Sequence, residues 1–385
     1  MLSRIQLRNL LSFGPNGIDL ELRPLNVLIG PNASGKSNLI EAISLLQAMP
    51  GDLADRIRAG GGIMDWLWRG AERPTAWIEA VVDNAQGHRW LRHVLKFTEI
   101  GQRFEIVDEW VGNAAPRNKT DRPYFNYQLN DGQPTLLAGD KRQRLSREEV
   151  SFSQSILAQR GKPNQYSEMA FLARQYSNVR LYGDWTFGHA SPARIPRKTD
   201  ERNDHLLPDS RNLALMVNKL QANPGLKRRI AEFLGKFIDG ATGVGVHIEG
   251  GTAQLYLEEG SFSVPATRLS DGTLQFISLL VVLLDPVPPP LICIDEPELG
   301  LHTDALVVIG ELLIEASKRT QLIVTTHSDV LLDAMSEQPD SVVVCQRDRG
   351  ETQMRRLDPK RLSRRLEEQT LGELWSSGEI GGNRW

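Results

Sequence analysis

The stretch GPNASGKS, residues 30–37, decides the fold of this chain. It follows the apolar run LNVLI (25–29) and precedes KSNLIEAISLLQAM (36–49), whose apolar residues recur at helical spacing, so the order is strand, loop, helix. Gly30 and Gly35 permit a tight loop whose backbone N–H groups surround a phosphate at the positive end of the helix. The expected nucleotide-binding residues are Asn32, Ala33, Ser34, Gly35, Lys36, Ser37 and Asn38.

Two side chains of this loop have distinct expected roles. Lys36 would reach the β- and γ-phosphates, and Ser37 would ligate Mg²⁺. A chance match within an ordinary strand-turn-helix unit is the alternative. The flanking strand and helix favour the nucleotide.

Two acidic residues follow a second apolar run in PLICIDEPELGLH, residues 290–302. Residues 291–294 are continuously apolar, as expected of a central parallel strand covered on both faces. Ligands of open α/β sheets bind at the carboxyl ends of the strands, so Asp295 and Glu296 are expected beside the phosphates. Because neighbouring side chains point differently, Asp295 is assigned to the Mg²⁺ shell and Glu296 to the attacking water. A surface acidic turn is the alternative.

A helix and another strand follow these acids. The helical pattern TDALVVIGELLIEASKR (303–319) leads to the apolar run QLIVTTHS (321–328), which completes a βαβ unit. His327 is then expected at the same carboxyl edge, next to the γ-phosphate, where it would stabilise the transition state. An ordinary turn histidine is the alternative.

The stretch LSDGTLQ (269–275) precedes the apolar helical run 274–284. Ser270, Asp271 and Gly272 are therefore expected at a helix N-terminus, as a second anion site. Since one subunit already has a phosphate loop, the second site is expected to serve the nucleotide of a neighbouring copy. This predicts a two-fold homodimer with two ATP molecules between the subunits. A simple helix cap is the alternative.

Together, GPNASGKS, LSDGT, LICIDEPE and TTHS resemble the ATPase head of the ATP-binding-cassette (ABC) superfamily. The openings IQLRNLLSFGPNGIDL and LNVLIGPNASGKSNLIEAI are more similar to the ATPases of the RecF, structural-maintenance-of-chromosomes (SMC) and OLD (overcoming-lysogenization-defect) type than to transporter subunits. The resemblance covers residues 1–49 and 265–345. It implies an α/β fold: a P-loop NTPase head of the ABC type with a mostly parallel sheet, an N-terminal antiparallel β meander and a helical middle insertion.

The resemblance also implies roles for individual residues. Lys36 and Ser37 match the phosphate and magnesium contacts, and Ser270 and Gly272 match the contacts made in trans. By the same match Asp295 is the magnesium-shell acid, Glu296 the catalytic base and His327 the switch histidine. Family pattern also places Ser12 or Phe13 near the adenine. Gln154 is one candidate for the family's glutamine between the lobes, with an ordinary polar residue as the alternative.

Composition limits the class of protein. The chain has 385 residues and a formal net charge of -3, so any basic partner surface must be local. Its longest apolar runs are too short for a membrane span, and the start lacks a secretory pattern, so the expected location is the cytoplasm. Cys293 and Cys345 lie in apolar runs typical of buried, reduced thiols.

The middle of the chain differs from the two motif-bearing parts. Its alternating runs predict an antiparallel meander, and 212–238 predicts two helices broken at residues 223–225. No heptad repeat is sustained along the sequence. This excludes long coiled-coil arms, because such arms need many consecutive heptads. The expected segments are an N-terminal ATPase part (1–75), a middle region of antiparallel β structure and helices (76–265), a C-terminal ATPase part (266–345) and a tail (346–385).

The tail and one loop are basic. The tail carries a group of arginines from Arg355 to Arg365. One interpretation is a solvated helix face on which Arg364 pairs with Glu368, and the other is a contact to DNA phosphates. The loop SPARIPRKTDER (191–202) is comparable. Trp375 and Trp385 are expected to be exposed. The remainder after His327 is too short for the Toprim nuclease domain of OLD proteins, so an effector nuclease would be a separate chain.

The resulting hypothesis is an ATP-hydrolysing switch in DNA repair or phage defence. Its expected cofactors are ATP and Mg²⁺, and its candidate partners are duplex DNA and a separate effector protein such as a Toprim-type nuclease, with no membrane. One alternative is an ATP-gated scaffold or DNA clamp that does not hydrolyse ATP, although Glu296 is present. A transporter motor subunit is the other alternative, and the RecF-like opening argues against it.

Overall fold

The computed structural model describes residues 1–84, 90–114, 125–130, 132–138, 141–146, 148–161, 166–183, 185 and 187–381. The chain forms two compact units. The first unit contains residues 1–179 and 343–357 together with the C-terminal end from Gly381, and the second contains residues 180–342 and 358–380.

The chain contains strands throughout, and they are numbered in chain order. They are β1 (Leu2–Arg8), β2 (Ile18–Glu21), β3 (Leu25–Ile29), β4 (Ala76–Val82), β5 (Leu91–Ile100), β6 (Arg103–Asn113), β7 (Phe125–Asn130), β8 (Gln133–Ala138), β9 (Lys141–Arg144), β10 (Arg180–Tyr182), β11 (Arg197–Lys198), β12 (Ala241–Glu249), β13 (Thr252–Glu259), β14 (Phe262–Pro265), β15 (Leu291–Asp295), β16 (Gln321–Thr326), β17 (Val342–Asp348) and β18 (Glu351–Arg356).

The helices lie between groups of these strands along the chain. They are α1 (Lys36–Ala48), α2 (Leu53–Ala59), α3 (Ile63–Trp66), α4 (Ile156–Arg160), α5 (Ser167–Ser177), α6 (Leu213–Gln221), α7 (Pro224–Phe237), α8 (Asp271–Leu283), α9 (Thr303–Ser317), α10 (Asp329–Asp333), α11 (Pro359–Leu366) and α12 (Leu371–Ser376). Among the described residues, no helix combines the length and the hydropathy that crossing a membrane requires.

The first unit is built on an antiparallel sheet with the strand order β2-β1-β4-β5-β6-β7-β8-β9. The expected meander corresponds to β4, β5 and β6, with Ile78 opposite Leu95 and Leu95 opposite Glu109. A register shift between Lys96 and Phe97 bends β5 against β6. Sequence alternation therefore predicted the meander correctly.

The first unit also contains β3, β17 and β18 in that order, together with α1. Every residue of β3 is buried, which is why this strand reads as an uninterrupted apolar run. Leu39 and Ile43 of α1 are fully buried and lie one helical turn apart. The strand-loop-helix order predicted around residues 30–37 is confirmed.

The second unit contains the parallel strands β10, β15 and β16. Helix α9 connects β15 to β16, so the predicted βαβ unit is present. Residues 291–294 of β15 and all of β16 are buried. Helix α8 is buried on nearly all sides, which accounts for its continuous apolar sequence.

A second antiparallel sheet in this unit has the order β11-β13-β12, with β14 paired to β13. Helices α6 and α7 pack near it. The predicted break between these helices occurs at Asn223, whose side chain accepts hydrogen bonds from the backbone N–H groups of Gly225 and Leu226 at the start of α7. The molecule is thus the expected mixture of a parallel α/β core, an antiparallel meander and a helical middle insertion.

Candidate functional site

The predicted phosphate loop of the first unit follows β3 and contains two glycines. Any other residue at either position would be strained. Gly30 has φ 153° and Gly35 has φ 97°. A Cβ atom on Gly30 would lie 2.2 Å from the carbonyl oxygen of Cys345, and one on Gly35 would lie 2.1 Å from the Thr352 hydroxyl oxygen. The loop is therefore closed tightly against β17 and β18.

Lys36 is held inside this loop although it is charged. It is 4% exposed, and its Nζ donates to the carbonyl oxygens of Gly30 at 2.9 Å and of Pro31 at 3.2 Å. Burying an ammonium group is unfavourable unless such acceptors compensate it. The predicted phosphate contact is thus oriented by the loop itself.

A polar network supports the loop from behind. The Thr352 hydroxyl oxygen lies 2.7 Å from Ser12 Oγ and 2.9 Å from the carbonyl oxygen of Ser34. The amide of Asn38 donates to Ser12 Oγ at 2.6 Å. Thr352 is fully buried. No sequence pattern indicated Thr352, which lies far along the chain in β18.

Ser12 and Phe13 were predicted to lie near the adenine. The structure places the Ser12 hydroxyl against the phosphate-loop network and buries Phe13 completely. The adenine contact stays a prediction. Gln154, the candidate inter-lobe glutamine, lies in a turn where its carbonyl oxygen accepts a hydrogen bond from Gln159.

Asp295, the predicted magnesium-shell acid, ends β15 in the second unit, and Glu296, the predicted base, follows it directly. Asp295 pairs in parallel register with Thr325 of β16, and the Thr325 hydroxyl contacts the Asp295 carboxylate. The Glu296 N–H donates to the same hydroxyl oxygen at 3.0 Å. Thr325 therefore orients both acids, although its role was not apparent from the sequence.

Glu296 departs from the strand with an unusual backbone conformation. Its φ is 47°, which non-glycine residues seldom adopt. Its Oε1 lies 3.2 Å from His327 Nε2, and both side chains are about a third exposed (29% for Glu296 and 31% for His327). The structure thus brings together the expected base and the expected switch histidine.

Glu298 contacts the backbone of His327, the predicted switch histidine. Its Oε1 accepts hydrogen bonds from the His327 N–H at 2.5 Å and from the Thr326 hydroxyl at 2.9 Å. Burial raises the pKa of this carboxyl, although both hydrogen bonds act in the opposite direction. The third acid of the DEPE sequence (295–298) was the available sequence signal for this role.

The LSDGT turn begins α8 as predicted. The Ser270 side chain caps the helix by accepting a hydrogen bond from the Thr273 N–H at 3.1 Å. Ser270 and Asp271 are exposed. A Cβ atom on Gly272 would lie 2.5 Å from the carbonyl oxygen of Gly300, so this position requires glycine.

In the tail, helix α11 is mostly exposed, as in the interpretation of a solvated helix face, whereas the loop 191–202 is not fully solvated. In the loop 191–202, Arg194 is buried and Arg202 pairs with Asp204 at 2.6 Å. In the tail, ion pairs join Arg365 to Glu379 at 2.7 Å and Arg361 to Asp358 at 3.6 Å.

One aromatic prediction in the tail was wrong. Trp375 is 9% exposed, because its helix α12 packs against α10, where the Gly372 N–H donates to the Asp333 carboxylate. Trp385 lies outside the described residues. Cys293 and Cys345 are free and buried, as predicted, and burial raises the pKa of both thiols.

Comparison with known families gives one match that covers most of the chain. A family model described as "AAA domain, putative AbiEii toxin, Type IV TA system" matches residues 25–333. No curated protein sequence matches the chain.

Solved structures show a related fold. One is a crystal structure of an Smc head bound to the C-terminal winged-helix domain of ScpA, with 15% identity, a TM-score of 0.57, and coverage of 94% of this chain and 99% of that one. Another is an Smc head with an extended coiled coil bound to the C-terminal domain of ScpA from Pyrococcus furiosus, with 16% identity, a TM-score of 0.56, and coverage of 95% and 98%. At such identities the likeness shows the fold alone.

Proposed function

This chain belongs to the AAA-domain family whose model matches residues 25–333, and on that premise we propose that it is an ATP-hydrolysing conformational switch. Its family and fold are those of ATP-binding ATPase heads of the SMC and RecF type. The observation that carries the proposal is the phosphate loop, in which Lys36 is buried and held by two backbone carbonyls.

The residues of the loop fit a phosphate ligand. The Ser34 hydroxyl is buried and has no hydrogen-bond partner among the described residues. A buried polar group without a partner is unfavourable, so a phosphate oxygen that accepts a hydrogen bond from this hydroxyl would remove that penalty. The carbonyl oxygens now bonded to Lys36 would likewise be exchanged for phosphate oxygens.

We assign Ser37 and Asp295 to Mg²⁺, because hydroxyl and carboxylate oxygens are its preferred protein ligands. When bound, Mg²⁺ neutralises charge on the β- and γ-phosphate oxygens. The assignment rests on the motifs of the family. Residues 32–38 would provide the backbone N–H groups for the phosphates.

Glu296 is the proposed general base. Its carboxylate would accept a proton from the attacking water, and the contact with His327 Nε2 would hold it in one orientation. His327 would then stabilise the charge that develops on the γ-phosphate. Thr325 and Glu298 position these two side chains from β16 and from the turn after β15.

Dimerisation would give the switch its two states. Ser270 and Gly272 would contact the nucleotide of a second copy, so that ATP binding closes a homodimer and hydrolysis opens it. We propose that this change is passed to duplex DNA or to a separate effector, such as a nuclease, in DNA repair or phage defence. The solved Smc heads that bind ScpA support a partner protein as a reasonable class of effector. The free, buried cysteines suit the cytoplasm.

The test is ATP turnover by the purified protein, with Glu296→Gln as the inactive variant and with and without duplex DNA. We expect the substitution to lower turnover at least about a hundredfold, as for loss of a general base. Glu311→Gln, an exposed acid on α9, is the matched control. Equal turnover by the Glu296→Gln variant would refute the proposed base. Stimulation by DNA would identify DNA as the partner, and indifference would direct the search to a protein.

A further inference from the structure

One arginine of the basic loop 191–202 is turned inward. Arg194 ends a 3-10 turn, Pro192–Arg194, in the second unit, and it is only 4% exposed. A solvated loop or a DNA-binding loop would leave this guanidinium in water. Its position therefore needs a different explanation.

The guanidinium is bonded to the turn that carries the LSDGT motif. Nη1 donates to the carbonyl oxygens of Ala266 at 2.9 Å and of Leu269 at 2.6 Å. Nη2 donates to the carboxylate of Asp271 at 2.5 Å. The bonded residues Leu269 and Asp271 flank Ser270 on both sides, so the arginine fixes the backbone from which Ser270 projects.

The other end of the guanidinium is anchored away from this turn. Nε donates to the carbonyl oxygen of Phe187 at 2.9 Å. Arg194 thus links the segment after β10 to the start of α8. Its planar fork of donors makes these bonds at once, whereas a lysine has only a single nitrogen.

The exposure of the two partners differs sharply. The Arg194 side chain is 5% exposed, and the Asp271 side chain is 63% exposed. The arginine therefore supports the turn from the inside, while Ser270 and Asp271 face solvent on the outside. An exposed motif held from behind by a buried cation is suited to meet a ligand presented by another molecule.

We infer that Arg194 is a positioning residue for the LSDGT turn, holding Ser270 and Gly272 in the arrangement that contacts ATP on a second copy of this chain. This inference rests on the proposed function. Arg194 contacts the turn and not the nucleotide, so it acts on dimer closure. Binding of ATP by the same subunit's phosphate loop does not depend on it.

The experiment separates these two steps in the Glu296→Gln background, where bound ATP is not consumed. Arg194→Met and Arg194→Lys are compared with Arg202→Met, which removes an exposed arginine nearby. Titration with a fluorescent ATP analogue measures nucleotide affinity, light scattering with and without Mg-ATP measures the dimer, and thermal unfolding measures folding.

The expected result is ATP affinity within about twofold of the parent and ATP-dependent dimerisation weakened at least about tenfold in Arg194→Met, as for loss of charged hydrogen bonds. Arg194→Lys would be intermediate, and Arg202→Met would match the parent. Dimerisation of Arg194→Met equal to that of Arg202→Met would overturn the inference, as would an equal loss of ATP affinity and dimerisation.

Two further outcomes keep the inference separate from the proposed function. If the Glu296→Gln parent neither binds ATP nor dimerises, the proposed function fails before Arg194 is tested. If Arg194→Met does not fold, Arg194→Lys decides: weaker dimerisation with unchanged ATP affinity supports the inference, and unchanged dimerisation refutes it.

Discussion

At the scale of single residues, the pKa of the Glu298 carboxyl is subject to two opposing effects. It accepts hydrogen bonds from the His327 N–H and the Thr326 hydroxyl, which favour the carboxylate, yet burial favours the neutral acid and raises the pKa above its ordinary value of 4.5. Between the pKa of the unfolded chain and the raised pKa of the folded chain, the folded protein binds more protons. Its free energy of unfolding must therefore fall as pH rises through that range.

Glu298→Gln removes this titration and keeps a similar shape. We expect the free energy of unfolding of the unsubstituted protein, relative to that of the variant, to fall as pH rises from 4.5 through the raised pKa, and then to level off. Urea unfolding of both proteins at a series of pH values measures the difference. Glu337→Gln, at an exposed position, controls for loss of one carboxylate. A difference that stays constant with pH would contradict the prediction.

The sequence identified some of these residues and missed others for a physical reason. Asp295, Glu296 and His327 follow buried strands, and strand ends can be read from apolar runs. Thr325 lies inside such a run, and Thr352 belongs to a strand more than three hundred residues after Ser12, with which it is bonded. Contacts between distant parts of the chain leave no local pattern, so the supporting hydroxyls could not be predicted.

At the scale of elements, the unit β3-loop-α1 depends on backbone conformation as much as on side chains. The helix begins at Lys36 directly after Gly35, whose φ of 97° places the loop against Thr352. An L-residue at this position would be strained by the left-handed backbone conformation, and its Cβ would overlap the Thr352 hydroxyl. The loop and the strand behind it therefore fit together only with glycine.

Gly35→Ala should accordingly weaken both the fold and ATP binding. We expect a loss of more than about 2 kcal/mol in the free energy of unfolding, from strain and overlap together. Urea unfolding and nucleotide titration measure the two effects. Gly51→Ala is the matched control, because the nearest atom to its added Cβ would be 3.6 Å away. Equal stability of the two variants would show that the loop adjusts without cost.

Element type was more predictable than element pairing. The helical pattern at 303–319 corresponds to Thr303–Ser317, and the strand at 321–328 corresponds to Gln321–Thr326. The position of β1 between β2 and β4 was not predicted. Alternation shows which face of a strand is buried, but it does not identify the neighbour, and Leu7 pairs with Ile78 across a long stretch of sequence. The division into four segments stays a prediction.

At the scale of the whole molecule, the proposed homodimer depends on two separate features of the chain. The exposed LSDGT turn offers a helix N-terminus supported from behind by Arg194. The phosphate loop, the other proposed anion site, belongs to the first unit of the chain. We propose that the LSDGT turn of one copy completes the phosphate loop of the other. A substitution in the loop of one copy and a substitution in the turn of the other should then still allow a mixed dimer to form.

Lys36→Ala and Ser270→Arg, each in the Glu296→Gln background, provide this test. Lys36→Ala removes nucleotide binding but keeps the turn, whereas Ser270→Arg keeps the loop and blocks the turn. Neither variant should associate with itself on addition of Mg-ATP. A mixture should associate, because the intact loop of one copy meets the intact turn of the other. Energy transfer between two fluorescent labels, one on each variant, measures this association. If the mixture associates no more than either variant alone, while the Glu296→Gln parent does associate, completion of the site in trans is contradicted.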